Sequence, residues 1–157
     1  QLRNIEVIGW TTIIFGILLY ISDKFENTKK INESFGFKSA LYIGFLQVLA
    51  LIPGVSRSGI AITAARTLNF ERVESSKISF LLSIPTLAAV SIYGLQNVLV
   101  SKNVSFSLIN LFAIFLSFIT SYLTIKYFLK YVKKFNLNIF VGYRILLGAL
   151  ILFIAYL

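Results

Sequence analysis

The 157-residue chain contains 57% hydrophobic and 13% charged residues, and its formal net charge is +9 at pH 7. Together with a mean hydropathy of +0.84, this composition excludes an ordinary soluble domain and is typical of an integral membrane protein. The chain has no cysteine and no histidine, which excludes disulfides and the usual zinc sites, and its basic residues lie between apolar runs, a pattern typical of membrane topology rather than nucleic-acid binding.

Long apolar runs alternate with short polar segments along the chain. A polar loop at residues 22–38 follows the first run, a polar link at 71–77 precedes the second, and a turn at 101–105 follows it. Pro85 predicts a kink in the second run, and Arg144, near the start of the last, is expected to snorkel or to pair inside the bundle. We predict an all-α fold, a polytopic membrane helix bundle. The predicted single membrane domain is 1–157, with spans at residues 5–21, 78–100, 106–128 and 139–157.

The segment at residues 39–70 is apolar but is interrupted by a polar turn. Pro53 removes a backbone donor and disfavours helix before it, and Gly54 tolerates backbone angles that other residues resist. Each flanking helix would be roughly 20 Å long, too short to cross a hydrocarbon core of about 30 Å. We therefore predict a re-entrant broken helix pair, at residues 39–52 and 59–70. Broken backbone survives at membrane depth only inside protein or beside a wet cavity, so the break predicts a pocket.

The positions of the basic residues test whether this segment crosses the membrane or turns back. If it turns back, eleven basic residues share one face and only Arg3 and Lys102 lie opposite. A single crossing would divide them between the two faces. The asymmetry therefore favours a re-entrant pair with the basic face in the cytoplasm. The eleven are Lys24, Lys29, Lys30, Lys38, Arg66, Arg72, Lys77, Lys126, Lys130, Lys133 and Lys134.

The turn at the tip of this pair carries Arg57 between Ser56 and Ser58. An arginine at membrane depth is costly unless it is compensated, and by default it marks a functional site. Two hydroxyls, the free amides that open the second half-helix and a planar guanidinium together form a receptor for phosphate. Two alternatives stay open: the serines act only as a helix N-cap, or Arg57 binds carbonyl groups exposed by the break. The expected ligand is a phosphorylated molecule that enters membranes, such as a lipid phosphate or diphosphate.

Other polar side chains near the turn each have two interpretations. Gln47 either bonds to a neighbouring helix or lines the pocket, and Thr63 is favoured as a packing residue over a ligand contact. Arg66, Arg72 and Lys77 are interpreted as headgroup-facing or topology-setting charges.

The six acidic residues lie at segment ends or in loops. Hydrolysis needs a nucleophile, a base and often a metal held by carboxylates, but no acid is expected at the depth of Arg57 and no metal-ligand set is visible. The sequence therefore carries the phosphate-binding half of a site whose acidic half is expected elsewhere. Because the chain begins at Gln1 rather than a start residue, we expect it to be part of a longer protein.

Residues 47–59, QVLALIPGVSRSG, and residues 79–90, SFLLSIPTLAAV, resemble the bacterial undecaprenyl-diphosphatase family of the bacitracin-resistance type. The family signature PGxSRSxxT is matched except at its last position, where Ala61 replaces the threonine and Thr63 lies two residues on. The resemblance implies two inverted repeats, each with a re-entrant helix pair, of which this chain resembles the C-terminal portion. The implied catalytic residues are Arg57, Ser56 and Ser58, and the implied substrate contacts are Gly54, Val55, Gly59, Gln47 and Thr63.

The resemblance also implies an activity, hydrolysis of undecaprenyl diphosphate to undecaprenyl phosphate, which recycles the carrier lipid of peptidoglycan synthesis in the bacterial inner membrane. It implies a divalent cation (Mg or Ca) and a polyprenyl diphosphate lipid as partner, with a homodimer left open. The family's second motif, an E/QxxxE stretch with Pro-x-Ser-Ser and a histidine, does not occur in this sequence, so these 157 residues alone are expected to be inactive. The alternatives are a polyprenyl-phosphate transporter or flippase without hydrolysis, and a purely structural membrane subunit.

Overall fold

The computed structural model describes residues 4–100 and 108–157, and its regular structure is helical throughout this part of the chain. The only β-like feature in these ranges is one isolated bridge between Lys29 and Phe70. The helices are α1 (Ile5–Asp23), α2 (Ile31–Ser34), α3 (Phe37–Gln47) with a 3-10 turn after it (Val48–Leu51), α4 (Arg57–Thr67), α5 (Arg72–Val100), α6 (Leu108–Lys134) and α7 (Asn138–Ala155).

Among the described residues, four helices are long and apolar enough to cross a membrane, namely α1, α5, α6 and α7. They confirm the predicted all-α class and are consistent with a polytopic membrane bundle, whereas the bounds of the four predicted spans stay a prediction. The predicted link at 71–77 is wrong, because α5 already begins at Arg72 and its first turn is closed by a 2.8 Å bond from the Ser75 amide to the Glu71 carbonyl. The predicted turn at 101–105 and the first two residues of the span 106–128 lie outside the described residues.

Helices α1 and α7 pack against each other in opposite directions through small residues. A Cβ atom added to Gly9 would lie 2.6 Å from Leu152 Cδ2, and one added to Gly148 would lie 2.5 Å from Ile13 Cγ1. Small residues are common where membrane helices approach closely, since they allow van der Waals packing between backbones. The glycines therefore set the distance between these two helices.

A buried ionic cluster holds together one end of the bundle. Asp23 is 3% exposed, accepts a 2.6 Å hydrogen bond from Arg72 Nε, lies 3.5 Å from Arg66 Nε and accepts a bond from the Leu137 amide. Arg66, also 3% exposed, donates to three backbone carbonyl groups in addition. The interpretation of Arg66 as headgroup-facing is therefore wrong, because a carboxylate and three carbonyl groups compensate its burial.

The segments that precede α3 and follow α4 are hydrogen-bonded to each other at this end of the bundle. The Lys29 amide donates to the Asn69 carbonyl at 3.0 Å, and the Glu71 amide donates to the Lys29 carbonyl at 3.1 Å. The chain thus returns, after α4, to the loop from which α3 began. The predicted gathering of the three basic loops at one end agrees with these contacts, while re-entry of the pair into a membrane stays a prediction.

Candidate functional site

The predicted break between α3 and α4 is present, and Gly54 is the residue that makes it. The first half-helix is Phe37–Gln47 with its 3-10 turn, and the second is Arg57–Thr67, so both begin two residues before the predicted bounds. Gly54 has a φ of 90°, a conformation that other residues adopt only with strain. A Cβ atom there would overlap Thr11 Oγ1 and lie 2.6 Å from the Ile8 carbonyl oxygen. Glycine is therefore required both for the backbone angle and for the space.

Two threonines of α1 lie against the carbonyl groups of the break, although each hydroxyl also faces a carbonyl of its own helix, at 2.7 Å for Thr11 and 2.6 Å for Thr12. Thr11 Oγ1 lies 2.6 Å from the Pro53 carbonyl oxygen, and Thr12 Oγ1 lies 3.4 Å from that of Gly54. Sequence reasoning missed both residues, because a threonine in an apolar helix usually bonds to its own helix, and nothing in the pattern of α1 marks a partner 42 residues away.

The break packs against the middle of the bundle. At 1.5 Å per residue, α1 is about 28 Å long and Thr12 lies roughly 16 Å from its Asp23 end. On the opposite helix, Arg144 reaches the same level, and a Cβ atom added to Gly16 of α1 would lie 3.3 Å from Arg144 Cβ. The polar turn thus lies against the central parts of α1 and α7, two helices of membrane-spanning length.

The start of α4 presents unpaired donors. Ser56 caps the helix by accepting a 3.1 Å hydrogen bond from the Gly59 amide, and its hydroxyl lies 3.2 Å from the Ser58 hydroxyl. Ser56 is therefore the N-cap residue of α4, and contact of its hydroxyl with a ligand stays a prediction. The amides of Arg57 and Ser58 donate to no acceptor in the part of the chain that the structure describes. Free amides at a helix start attract anions, since the positive end of the helix dipole lies there.

Arg144 is the buried cation beside this helix start. Its residue is 8% exposed, and Nη2 donates to the Gly54 carbonyl at 2.9 Å. Nη1 is buried without a hydrogen-bond partner among the described residues, and a Cβ atom on Gly59 would lie 2.8 Å from it. Of the two predictions for Arg144, pairing inside the bundle is therefore confirmed, although sequence reasoning did not include this residue in the site.

A cavity of about 550 Å³ opens against the start of α4. The break therefore has the predicted pocket. Its polar end is formed by the helix start and the guanidinium of α7, whereas the remaining wall is mostly apolar and comes from α1, α4, α6 and α7. The residues of the polar end are Gly54, Val55, Ser56, Ser58, Gly59 and Arg144.

Three of the predicted site residues are not among those that line this cavity. Arg57 is exposed, and its side chain makes no hydrogen bond or ion pair with the described part of the chain. The half-buried Gln47 side chain likewise has no hydrogen bond there. Thr63 is buried inside α4 and donates to the Gly59 carbonyl at 2.8 Å. The other five predicted site residues do line the cavity, namely Gly54, Val55, Ser56, Ser58 and Gly59. The roles of Arg57, Gln47 and Thr63 stay predictions.

The described residues do not fit a metal site, since no three acidic side chains come together in 4–100 and 108–157. Asp23 is already neutralised by Arg66 and Arg72, and Glu74 pairs with Lys77 at 2.7 Å. The divalent cation stays a prediction of the resemblance, and no chemical step is assigned to it.

In the described part of the chain, four helices of spanning length accompany a broken helix whose second half begins at mid-bundle beside a cavity, and this arrangement defines an integral membrane protein. Its sequence matches the family described as bacitracin resistance protein BacA over residues 1–150. The chain belongs to this family.

Curated relatives carry the name undecaprenyl-diphosphatase. The chain is 51% identical over 154 residues to the one from Pelagibacter ubique, covering 98% of this chain and 60% of the relative. It is 44% identical over 156 residues to that of Teredinibacter turnerae, covering 99% and 58%. It is 42% identical over 155 residues to undecaprenyl-diphosphatase 1 of Rhodospirillum rubrum, covering 98% and 55%. The chain therefore spans about three fifths of the length of these relatives.

Proposed function

We propose that the complete protein is a phosphatase of the bacterial inner membrane that hydrolyses undecaprenyl diphosphate to undecaprenyl phosphate and inorganic phosphate. The name undecaprenyl-diphosphatase, which its relatives share, supports the choice of this substrate. The observation that carries the proposal is the serine-capped start of α4, whose free amides stand at mid-bundle beside a cavity. The mostly apolar wall suits a prenyl chain, and the polar end suits a phosphorylated head.

The proposal includes re-entry of α3 and α4 into the membrane from the basic end. Three observations support it: the half-helices of 11 residues each are too short to span, their flanks meet at the Lys29 to Phe70 bridge, and the break lies against the middle of α1. The basic end would then face the cytoplasm.

In the proposed reaction an oxygen nucleophile attacks the terminal phosphorus of the diphosphate. The bond between that phosphorus and the bridging oxygen breaks, and its electron pair leaves with undecaprenyl phosphate. Water then attacks the phosphorus and breaks its bond to the nucleophile, which releases inorganic phosphate and restores the nucleophile. Arg57 and the helix-start amides would stabilise the charge that develops on the phosphoryl oxygens, while Ser56 and Ser58 would orient the group. No described carboxylate lines the cavity, so the acceptor of the water proton is assigned to none of these residues.

The test is phosphate release from undecaprenyl diphosphate by the complete gene product in detergent. Arg57→Ala and Arg57→Lys are expected to lower turnover about 100-fold or more, because they remove a donor to the transition state, without lowering the unfolding temperature. Lys38→Ala is the control, since it removes one positive charge from an exposed side chain that has no partner in the described ranges. Wild-type turnover in either Arg57 variant would exclude Arg57 from the site.

A second candidate function is transport of a polyprenyl phosphate. Broken helices whose N-termini face an anion at mid-membrane also occur in carriers, and the cavity lacks a lining carboxylate among the described residues. A carrier in liposomes would move the lipid between leaflets without producing phosphate. Phosphate release by the wild-type protein would therefore decide for the phosphatase.

A further inference from the structure

Arg144 and Arg66 are both buried, but they differ in what surrounds them. Arg66 has the Asp23 carboxylate 3.5 Å away and donates to three carbonyl groups. Arg144 makes one hydrogen bond, to the Gly54 carbonyl, and no acidic side chain of the described residues forms an ion pair with it. A buried cation without a counter-charge is strongly unfavourable. Arg144 therefore has no counter-charge among the described residues.

The unpartnered side of the Arg144 guanidinium lies beside the start of α4. The unpartnered Nη1 of Arg144 lies so close to Gly59 that a Cβ atom there would be only 2.8 Å away, and Gly59 is in the first turn of α4. The positive end of the α4 dipole and a guanidinium thus converge, although two positive groups repel each other. Both line the same cavity, and an anion between them would remove the repulsion.

We infer that Arg144 is a phosphate-binding residue, which together with the amides and serines at the start of α4 holds a phosphate or diphosphate group. The inference rests on the proposed function and deepens it by adding a guanidinium from α7 to the site. A planar guanidinium with a free Nη1 suits phosphoryl oxygens, because it donates charge-assisted hydrogen bonds in a fixed direction. Its bond to Gly54 fixes that direction and also ties α7 to the break.

The test measures affinity separately from turnover. Isothermal titration of the complete gene product in detergent would use two probes that cannot be hydrolysed, methylenediphosphonate and farnesyl methylenediphosphonate. Arg144→Lys and Arg144→Met are expected to weaken binding about tenfold or more, since each removes a charge-assisted hydrogen bond. A loss with both probes assigns the site to phosphate groups in general, and a loss with the farnesyl probe alone assigns it to a lipid head.

Arg72→Met is the matched control, because Arg72 belongs to the Asp23 cluster and does not line the cavity. It is expected to lower the unfolding temperature and to leave both dissociation constants unchanged. A folded Arg144 variant that binds both probes within twofold of wild type would overturn the inference and leave Arg144 a purely structural residue.

A measurement on the unaltered protein covers the case in which the Arg144 variants do not fold. Phenylglyoxal that enters the cavity is expected to modify Arg144, as read by mass spectrometry, and methylenediphosphonate is expected to reduce this modification while leaving that of Arg72 unchanged. Modification of Arg144 that is detected without the probe and is equally large with it would refute the inference. The two proposals are separable. Binding that depends on Arg144 without phosphate release would refute only the phosphatase, whereas phosphate release with binding independent of Arg144 would refute only this inference.

Discussion

Replacement of Gly54 by alanine tests whether the break is built as described. The alanine must adopt a φ near 90°, and its Cβ atom must fit where the Thr11 hydroxyl and the Ile8 carbonyl oxygen already lie. Since backbone atoms of a packed helix do not move aside easily, α1 and the break must separate. That separation lengthens the 2.6 Å contact between Thr11 and the Pro53 carbonyl.

The expected cost combines two terms. A non-glycine residue held in a sparsely populated backbone region costs about 1–3 kcal/mol, and each hydrogen bond weakened by the separation costs about 1 kcal/mol. With one hydrogen bond weakened, the two terms sum to a loss of about 2–4 kcal/mol in the free energy of unfolding. For a domain of about 150–250 residues this corresponds to a fall of about 10 °C in the unfolding temperature.

Gly142→Ala is the matched control for this experiment. Gly142 lies inside α7, and no atom lies within 4 Å of a Cβ atom added there. Alanine in a helix interior is favoured over glycine by about 0.5–1 kcal/mol, so this variant is expected to unfold at the wild-type temperature or slightly above. Thermal unfolding of both variants in one detergent gives the comparison. Equal unfolding temperatures for Gly54→Ala and Gly142→Ala would refute the described geometry of the break.

Three further substitutions probe the contacts that position the site. Asp23→Asn removes the charge that compensates a buried arginine, and it is expected to lower the free energy of unfolding by about 3–5 kcal/mol, whereas the exposed Glu33→Gln should change it by less than about 0.5 kcal/mol. Gly148→Val is expected to force α1 and α7 apart and to lower the unfolding temperature, and an unchanged temperature would contradict their close packing. Thr11→Val keeps the shape but loses the hydroxyl, with an expected loss of about 1 kcal/mol by thermal unfolding.

The parts of the fold that depend on local sequence were predictable. Hydropathy over each long run is enough to predict a helix of spanning length, because a bilayer requires about 20 apolar residues. The break was predictable because Pro53 and Gly54 restrict the backbone whatever surrounds them, and a serine before a helix start is a common cap. These signals lie within a few residues of the feature that they predict.

The roles of the arginines were not predictable in the same way. Arg57 stands out because two serines flank it directly after the break, but Arg66 follows Ala65 and Arg144 precedes Ile145, and such apolar neighbours do not distinguish one buried arginine from the other. Their environments depend on contacts between distant residues: 43 positions separate Arg66 from Asp23, and 90 separate Arg144 from Gly54. A pattern with a period of a few residues contains no information on such pairs, so the sequence assigned Arg66 to the surface and left Arg144 out of the site.

The two arginines near the start of α4 differ in a way that follows from their attachment. Arg57 belongs to the exposed first turn and has no partner in the described residues, so its side chain is free to change position as a ligand arrives. Arg144 is fixed by its bond to Gly54 and cannot follow a moving group without disturbing the break. A donor that is held in position before the ligand arrives contributes more to affinity, because the entropy of ordering its side chain has already been lost in folding. A mobile donor suits charge that develops during a reaction, and for this reason the effects of losing Arg144 and Arg57 should appear in affinity and in turnover, respectively.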